Sequence, residues 1–293
     1  MAHILSNGIL TVQIEEPGTY SGTRFDWTGF ISQVRLEHGQ HTFCVPESLT
    51  PGAGTGGAGL CNEFGIVQAI GYDEAEAGEW FPKPGVGLLQ KNYHLPYSFS
   101  GSYPLIPFKV DAELSRTSAV YTVEPLECRG YSMLLTKTLV LNGDRIEIGY
   151  TLENKGSKTI RTEEYVHNFL GIDGAPAGSD YRLTLPGLQI EDAESAYTEE
   201  LLEQAEDSLT WKRQPHRPFY CRLGSISGSS ADYFWELLHV PGGCGVRESG
   251  DFAPSRMALW GERHVISPEV FVKVAAKPGQ TVQWRRSFQF FGR

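Results

Sequence analysis

No stretch of this chain is apolar for the roughly 18 residues that a membrane-crossing helix needs, which excludes such a helix, and no membrane partner is expected. Basic residues are scarce as well: 25 Lys and Arg stand against 35 Asp and Glu, a formal charge of -10. That balance argues against a nucleic-acid surface and suits a neutral or polar small molecule. Cysteine is sparse, odd in number and scattered, at Cys44, Cys61, Cys128, Cys221 and Cys244, with no CxxC pair and no compact metal-ligand spacing. A disulfide framework is therefore not expected, and reduced thiols are. The opening residues, from Met1 to Gly8, lack both the basic and the apolar region of a secretory signal. The expectation is a soluble, cytoplasmic protein. Helical periodicity is nearly missing too.

What the sequence has in abundance is short runs of Val, Ile, Thr, Tyr and Phe between clusters of Gly, Pro, Asn and Asp, the pattern of many strands joined by turns. With 293 residues, 40% of them hydrophobic, a single all-β domain spanning 1–293 is expected. The clearest unit is a hairpin, Met133 to Leu141, then Asn142-Gly143, then Asp144 to Thr151, because Asn-Gly tolerates the positive φ of a tight turn. A turn at Asn154-Lys155-Gly156 leads into 160–170, which predicts a three-strand meander. An acidic insertion near 192–210 breaks the strand pattern. It reads as a short helix from Thr198, with Thr198 as N-cap, or as an acidic loop with a solvated face.

The segment Pro51 to Gly59 matches GxGxxG at Gly52, Gly54 and Gly57, but the flanks supply no amphipathic helix, so a dinucleotide or phosphate loop is not expected. A flexible loop over a ligand cleft is the reading.

The segment from Thr162 to Asp173 is the most informative. As a strand it places Glu163, Tyr165, His167 and Phe169 on one face and Glu164, Val166, Asn168 and Leu170 on the other. Both faces mix polar and apolar groups, and burying a carboxylate or imidazole without partners costs several kcal/mol in order of magnitude. The strand is a candidate floor for a binding site, with Glu163, Tyr165 and Asn168 as contacts. Two blocks are dense in groups that suit a sugar: Tyr20 to Gly29, with Arg24, Asp26 and Trp27, and Tyr72 to His94, with Lys83, Lys91 and His94. Aromatic rings stack on the C–H faces of a pyranose while charged groups and amides bind its hydroxyls. Trp235 and Trp260 read as packing residues.

These features in this order resemble the galactose mutarotase-like superfamily, which includes aldose 1-epimerases and hexose-6-phosphate mutarotases. The resemblance rests on the opening Asn7-Gly8-Ile9-Leu10, on Tyr165-Val166-His167-Asn168-Phe169-Leu170, and on the end of the chain: Ile266 to Phe271, Lys277-Pro278-Gly279, then Trp284 to Phe290. It implies an antiparallel β-supersandwich, a small carbohydrate as ligand, and no metal or organic cofactor. It also implies a mechanism in which a glutamate takes the proton of the anomeric hydroxyl while a histidine protonates the ring oxygen. His167 matches the family's histidine, and Glu269 and Glu262 both match the position of its glutamate. The sequence departs from the family at Asn62-Glu63-Phe64, where an Asn-Arg pair is common, and it has no His-Gly-Gly segment; Lys83, Lys91 or His94 takes the place of the family's first histidine by order alone. Two other readings stay open: a non-catalytic sugar-binding domain, and an oligosaccharide hydrolase or lyase using Glu163 or Glu164 with Glu269. No signal of oligomeric state is legible. A catalytic metal is disfavoured, because the eight histidines contain no HxH followed by a suitably spaced glutamate.

Overall fold

Residues alternate between half-buried and buried all along Arg145–Asn154, the two-residue period of a strand with one face in a core. Its hairpin with Met133–Asn142 closes at the pair Asn142↔Arg145, so the loop is Gly143-Asp144. Of the two, Gly143 alone takes a left-handed φ, 60°. That moves the turn one residue on from the expected Asn142-Gly143.

The computed structural model describes residues 2–92, 94–225 and 233–292. They form an all-β sandwich of two ten-stranded antiparallel sheets and a small three-stranded one. The first sheet runs Ala2–Ser6, Leu10–Glu15, Phe30–Leu36, Gly59–Phe64, Ile160–Phe169, Val265–Ala276, Arg256–Glu262, Phe219–Ser225 and Leu188–Ala193, with His41–Thr42 beside Phe30–Leu36. The second runs Leu202–Ala205, Ser208–Trp211, Tyr181–Thr184, Phe234–His239, Cys244–Gly250, Thr281–Phe291, Arg145–Asn154, Met133–Asn142, Ser118–Val123 and Val110–Leu114. Trp80–Lys83, Gly87–Gln90 and Leu105–Pro107 make the small sheet. Among the described residues no helix is long and apolar enough to cross a membrane.

The expected meander does not form. Ile160–Phe169 leaves the sheet of Arg145–Asn154 and enters the facing one between Gly59–Phe64 and Val265–Ala276. Buried Asn154 fixes the crossing: its Nδ2 donates to the carbonyls of Lys158 and Ala276, each at 2.8 Å, and its Oδ1 accepts the Gly156 N–H at 2.9 Å. A strand with polar and apolar groups on both faces needs cover on both sides, and the central position supplies it. The acidic segment is a helix, Ala196–Leu201, followed by the edge hairpin Leu202–Ala205 and Ser208–Trp211. Its cap is Ser195, whose side chain accepts the Thr198 N–H, so the helix starts ahead of the expected Thr198.

Between the two large sheets the apolar core is crossed by a chain of buried polar groups. Glu164, on the inner face of Ile160–Phe169, accepts from Asn62 Nδ2 at 2.7 Å, Trp284 Nε1 at 2.9 Å and Arg286 Nη2 at 2.8 Å. Arg286 also donates to Glu248 at 2.7 Å, and Glu248 accepts from Tyr233 and Trp235. Lys137 donates to Asn62 Oδ1 at 2.9 Å and lies 3.6 Å from Asp26. Burial pushes the Glu248 carboxyl up even with Arg286 beside it. Arg286→Met therefore strands two buried carboxylates, and we expect it to lower stability by about 3–5 kcal/mol, read as a shift of the urea midpoint. An unshifted midpoint would show that the network holds nothing together.

Candidate active site

The face of Ile160–Phe169 turned away from the second sheet is built from cross-strand rows. Tyr165 lies opposite Glu63 on one neighbour and Phe271 on the other, and Arg256 pairs with Phe271 one strand further out. Two residues along, His167 lies opposite Cys61. Pairing with Val265–Ala276 stops after Tyr165↔Phe271 and resumes at Leu170↔Ile266 without a slip of register, so His167 faces Glu269. The interruption falls at Pro268, which has no N–H to give. Side chains stand in for the missing ladder: Ser267 Oγ accepts the Asn168 N–H at 2.9 Å, and Asn168 Nδ2 donates to the Pro268 carbonyl.

His167 Nε2 is 3.4 Å from Glu269 Oε1, and Ser267 Oγ is 3.0 Å from His167 Nδ1 and 3.2 Å from Glu269 Oε1. Ser267 has one hydroxyl proton. Donated to Glu269, it leaves Oγ to accept from Nδ1–H and turns the Nε2 lone pair toward the carboxyl. The imidazole stacks on Phe169, with ring centroids 4.1 Å apart, and meets the edge of Trp260 at 5.1 Å. His167 and Glu269 are only 4% and 5% exposed. Burial, with the Arg24 charge adding to it, holds His167 well below the ordinary imidazole range. Burial pushes Glu269 up to about 8, against the opposing pull of Arg24 and Ser267. Both directions favour a neutral pair, a protonated carboxyl beside a neutral imidazole.

A second cluster adjoins the first. Arg24 Nε donates to Glu63 Oε2 at 2.8 Å, Nη1 to Thr55 Oγ1 at 3.1 Å and Nη2 to the Tyr165 hydroxyl at 3.1 Å, while Tyr165 donates to Glu63 Oε2 at 2.6 Å. Lys83 Nζ lies 3.7 Å from Glu63 Oε1 and donates to the Tyr97 hydroxyl at 3.0 Å and to the Phe64 carbonyl. Burial lowers Lys83 to about 8, with Glu63 opposing the shift. Glu63 Oε1 is buried and accepts no hydrogen bond among the described residues. A buried carboxylate oxygen in that state is under-satisfied, with Lys83 as a nearby cation. The glycine-rich segment is a loop, as expected, leading into the strand Gly59–Phe64. Glu47 organises it by accepting from the Thr55 N–H, the Thr55 hydroxyl and the Gly57 N–H. With Phe99 and Arg24 the loop lines a cavity of about 250 Å³.

Of the residues singled out by sequence, Arg24, Lys83, Tyr165, His167 and Glu269 are brought together. Glu163 is on the same face, held 3.2 Å from Arg256. Glu262 is on that face as well, but four cross-strand pairs along from Ala258↔Glu269, which is about 13 Å of strand. Asn168 points to the inner face and supports the strand at Pro268. Glu164 is on that inner face too, which removes it as a hydrolytic partner for Glu269. Asp26 lies between the sheets, accepting from Tyr150 at 2.6 Å. Trp27 donates to the Gly22 carbonyl. Lys91 donates to the carbonyls of Tyr72 and Ala75, and His94 is an exposed neighbour of Glu76. None of these four enters the cluster. Sequence reasoning missed Glu63, Ser267 and Tyr97; Trp260, read as a packing residue, packs against the His167 ring. Glu63 had a signal, an acid inside an otherwise strand-like run where an arginine partner was wanted. Ser267 is two residues before Glu269 and so shares its face.

No protein-family model matches the chain, and no curated protein matches it. Among solved structures it is similar over its full length to a galactose mutarotase related enzyme from Lactobacillus acidophilus, at 12% identity and a TM-score of 0.62, covering 98% of that chain. It is equally similar to a galactose mutarotase-like protein from Lactobacillus casei, at 12% identity and TM-score 0.62, with 99% of this chain and 100% of that one covered. An aldose epimerase homologue from C. elegans aligns at 9% identity and TM-score 0.58, covering 100% and 99%. The fold is thus galactose mutarotase-like.

Ser267→Ala leaves the Asn168 N–H without an acceptor and His167 without its orienting partner, and we expect a loss of about 1–3 kcal/mol in denaturant unfolding. Glu269→Gln should act in the opposite direction. In the unfolded chain this carboxyl ionises above its ordinary 4.5, whereas the folded one keeps its proton to about 8. The native state therefore loses stability as pH rises across that window. The Gln variant should be more stable than wild type by a few kcal/mol in order of magnitude near pH 8 and about equal to it near pH 4.5. Parallel titrations at the two ends of the window measure this; an equal difference at both would refute the raised carboxyl.

Proposed function

We propose that the chain is a carbohydrate isomerase of the aldose 1-epimerase kind, with His167 and Glu269 as its acid–base pair. The observation that supports this most is the pair itself, two groups of opposed protonation preference placed side by side on the central strands of a galactose mutarotase-like sheet. Opening a cyclic hemiacetal requires one proton to leave the anomeric hydroxyl and one to reach the ring oxygen, and these oxygens share one carbon. A pair holding a single mobile proton suits that demand. In the neutral form Glu269 gives its proton to the ring oxygen while His167 Nε2 receives the anomeric one. In the charged form, a carboxylate beside an imidazolium, the same two transfers occur with the roles exchanged, as the family resemblance implies. The ring opens, the bond to the anomeric carbon rotates, and reclosure gives either anomer. The proton count of the pair returns to where it began.

Glu63 and Lys83 supply the recognition in this reading. Glu63 Oε1 accepts one sugar hydroxyl and Lys83 donates to another, while Arg24 and Tyr165 hold Glu63 in place through its second oxygen. Half-buried Trp260 borders the pair with apolar surface of the kind that suits C–H faces, while buried Phe169 and Phe25 pack around the imidazole.

Wild-type protein should accelerate anomer exchange of at least one member of an aldose panel, followed by NMR exchange spectroscopy or polarimetry. His167→Ala and Glu269→Gln should each lower kcat/KM by about 10²–10⁴-fold. Undiminished turnover in either variant would remove that residue from the chemistry. Equilibrium binding of a sugar with no acceleration by wild type would favour the non-catalytic reading. Activity should hold steady through neutral pH and fall above about 8, where Glu269 loses the shared proton. It should not fall on passing below the ordinary imidazole range, since His167 is shifted downward.

A further inference from the structure

Away from the acid–base face, three metal-ligating side chains converge where the two large sheets meet. His41 Nδ1, on the strand His41–Thr42 of the first sheet, is 2.7 Å from Asp173 Oδ2. Cys244 Sγ, at the start of Cys244–Gly250 in the second sheet, is 3.9 Å from that same oxygen. The three donor atoms all lie within 4.8 Å of one another. An ordinary His–Asp contact accounts for the first distance, and the buried thiol, a weak donor to the same oxygen, brings a third ligating atom to that place. A second imidazole is turned that way too. His239 pairs with Cys244 across their hairpin, and its Nδ1 is buried and has no hydrogen-bond partner among the described residues. A side chain on Gly242 would begin 2.8 Å from His239 Nδ1 and 3.0 Å from Cys244 Sγ, so both atoms border one small space that the glycine leaves clear.

We infer that His41, Asp173 and Cys244 form a binding site for a divalent ion of the zinc class, with His239 Nδ1 or a water as fourth ligand, clasping the two sheets together. Imidazole, carboxylate and thiolate are the donor set that this ion takes, in a tetrahedral arrangement at about 2.0–2.3 Å. Donors so bound lie roughly 3.3–3.8 Å apart, and small side-chain rotations bring the present spacings into that range. On binding, the Cys244 thiol gives up its proton to solvent, the His41 proton sits on Nε2, and bonds to the metal replace the hydrogen bond between Nδ1 and the carboxylate. One aspartate and one thiolate cancel the charge of the ion. The site is structural: it lies outside the His167 and Glu269 cluster and carries no step of the reaction proposed above. Positions 41, 173, 239 and 244 are too widely spaced for any sequence motif to reveal it.

The test uses the full chain, stripped with a chelator, reloaded with Zn²⁺ and desalted. The expected result is about one zinc retained per chain with a raised thermal midpoint, and at least a tenfold loss of affinity in Cys244→Ser and in Asp173→Asn. Loading with Co²⁺ should give a thiolate-to-metal charge-transfer band in wild type that Cys244→Ser lacks. Because Asp173→Asn keeps the side-chain oxygen that accepts the Thr42 N–H, it serves where the cysteine variant fails to fold. Zinc retention no greater in wild type than in the variants, or a missing charge-transfer band, would overturn the inference.

Discussion

The register between Ile160–Phe169 and Val265–Ala276 determines what the outer face can hold. Because side chains alternate, a slip of one residue would send His167 inward and bring Val166 out, and would separate the imidazole from Glu269. The strands are most exposed to such a slip at Pro268, where the ladder has no donor. Ser267 and Asn168 close that gap with their side chains, so the same few residues that keep the register also orient the imidazole. Structure and chemistry share these atoms. A substitution made to improve one is felt by the other.

The same strand carries polar groups to both of its faces, and the two faces treat charge differently. Inside, Glu164 meets Arg286, Trp284 and Asn62, so that each of its oxygens has donors and the carboxylate is well served. Outside, Glu269 has a serine and an imidazole but no close cation, and burial raises it. A satisfied carboxylate stabilises a fold and does little chemistry, whereas an under-satisfied one keeps its proton into the range where water-based life runs. The chain thus keeps two glutamates on neighbouring strands in different surroundings, one met by three donors and the other by a serine and an imidazole.

Much of this was legible in the sequence. Two-residue alternation and Gly-centred turns give the all-β architecture, and the mixed faces of 162–173 point to a site because polar burial needs a reason. The crossing at Asn154 was not legible, since a turn signal does not say which sheet the next strand joins; that depends on Asn154 reaching a carbonyl 122 residues away. The cluster around Glu63 was half legible. Arg24 and Lys83 stand in blocks dense with aromatic and charged residues, but the partner that unites them, Glu63, lies in a separate strand-like run between Asn62 and Phe64. Asp26, Trp27 and Lys91 sit in those same dense blocks and bond within the fold instead, and His94 is exposed, because density of suitable groups says nothing about the direction in which each side chain points.

The rows of the outer face also join distant parts of the chain. Tyr165 and Glu63 touch across 102 residues of sequence, and His167 and Ser267 across 100. Contacts of such long range form slowly, because the entropy of closing large loops comes before any reward. During synthesis Ile160–Phe169 emerges with one neighbour already made and the other still to come. Until Val265–Ala276 arrives, the strand is an open edge whose backbone can pair with another molecule. The carboxyl partner of the imidazole and the cover of that edge both come with Val265–Ala276, so one strand supplies the two together.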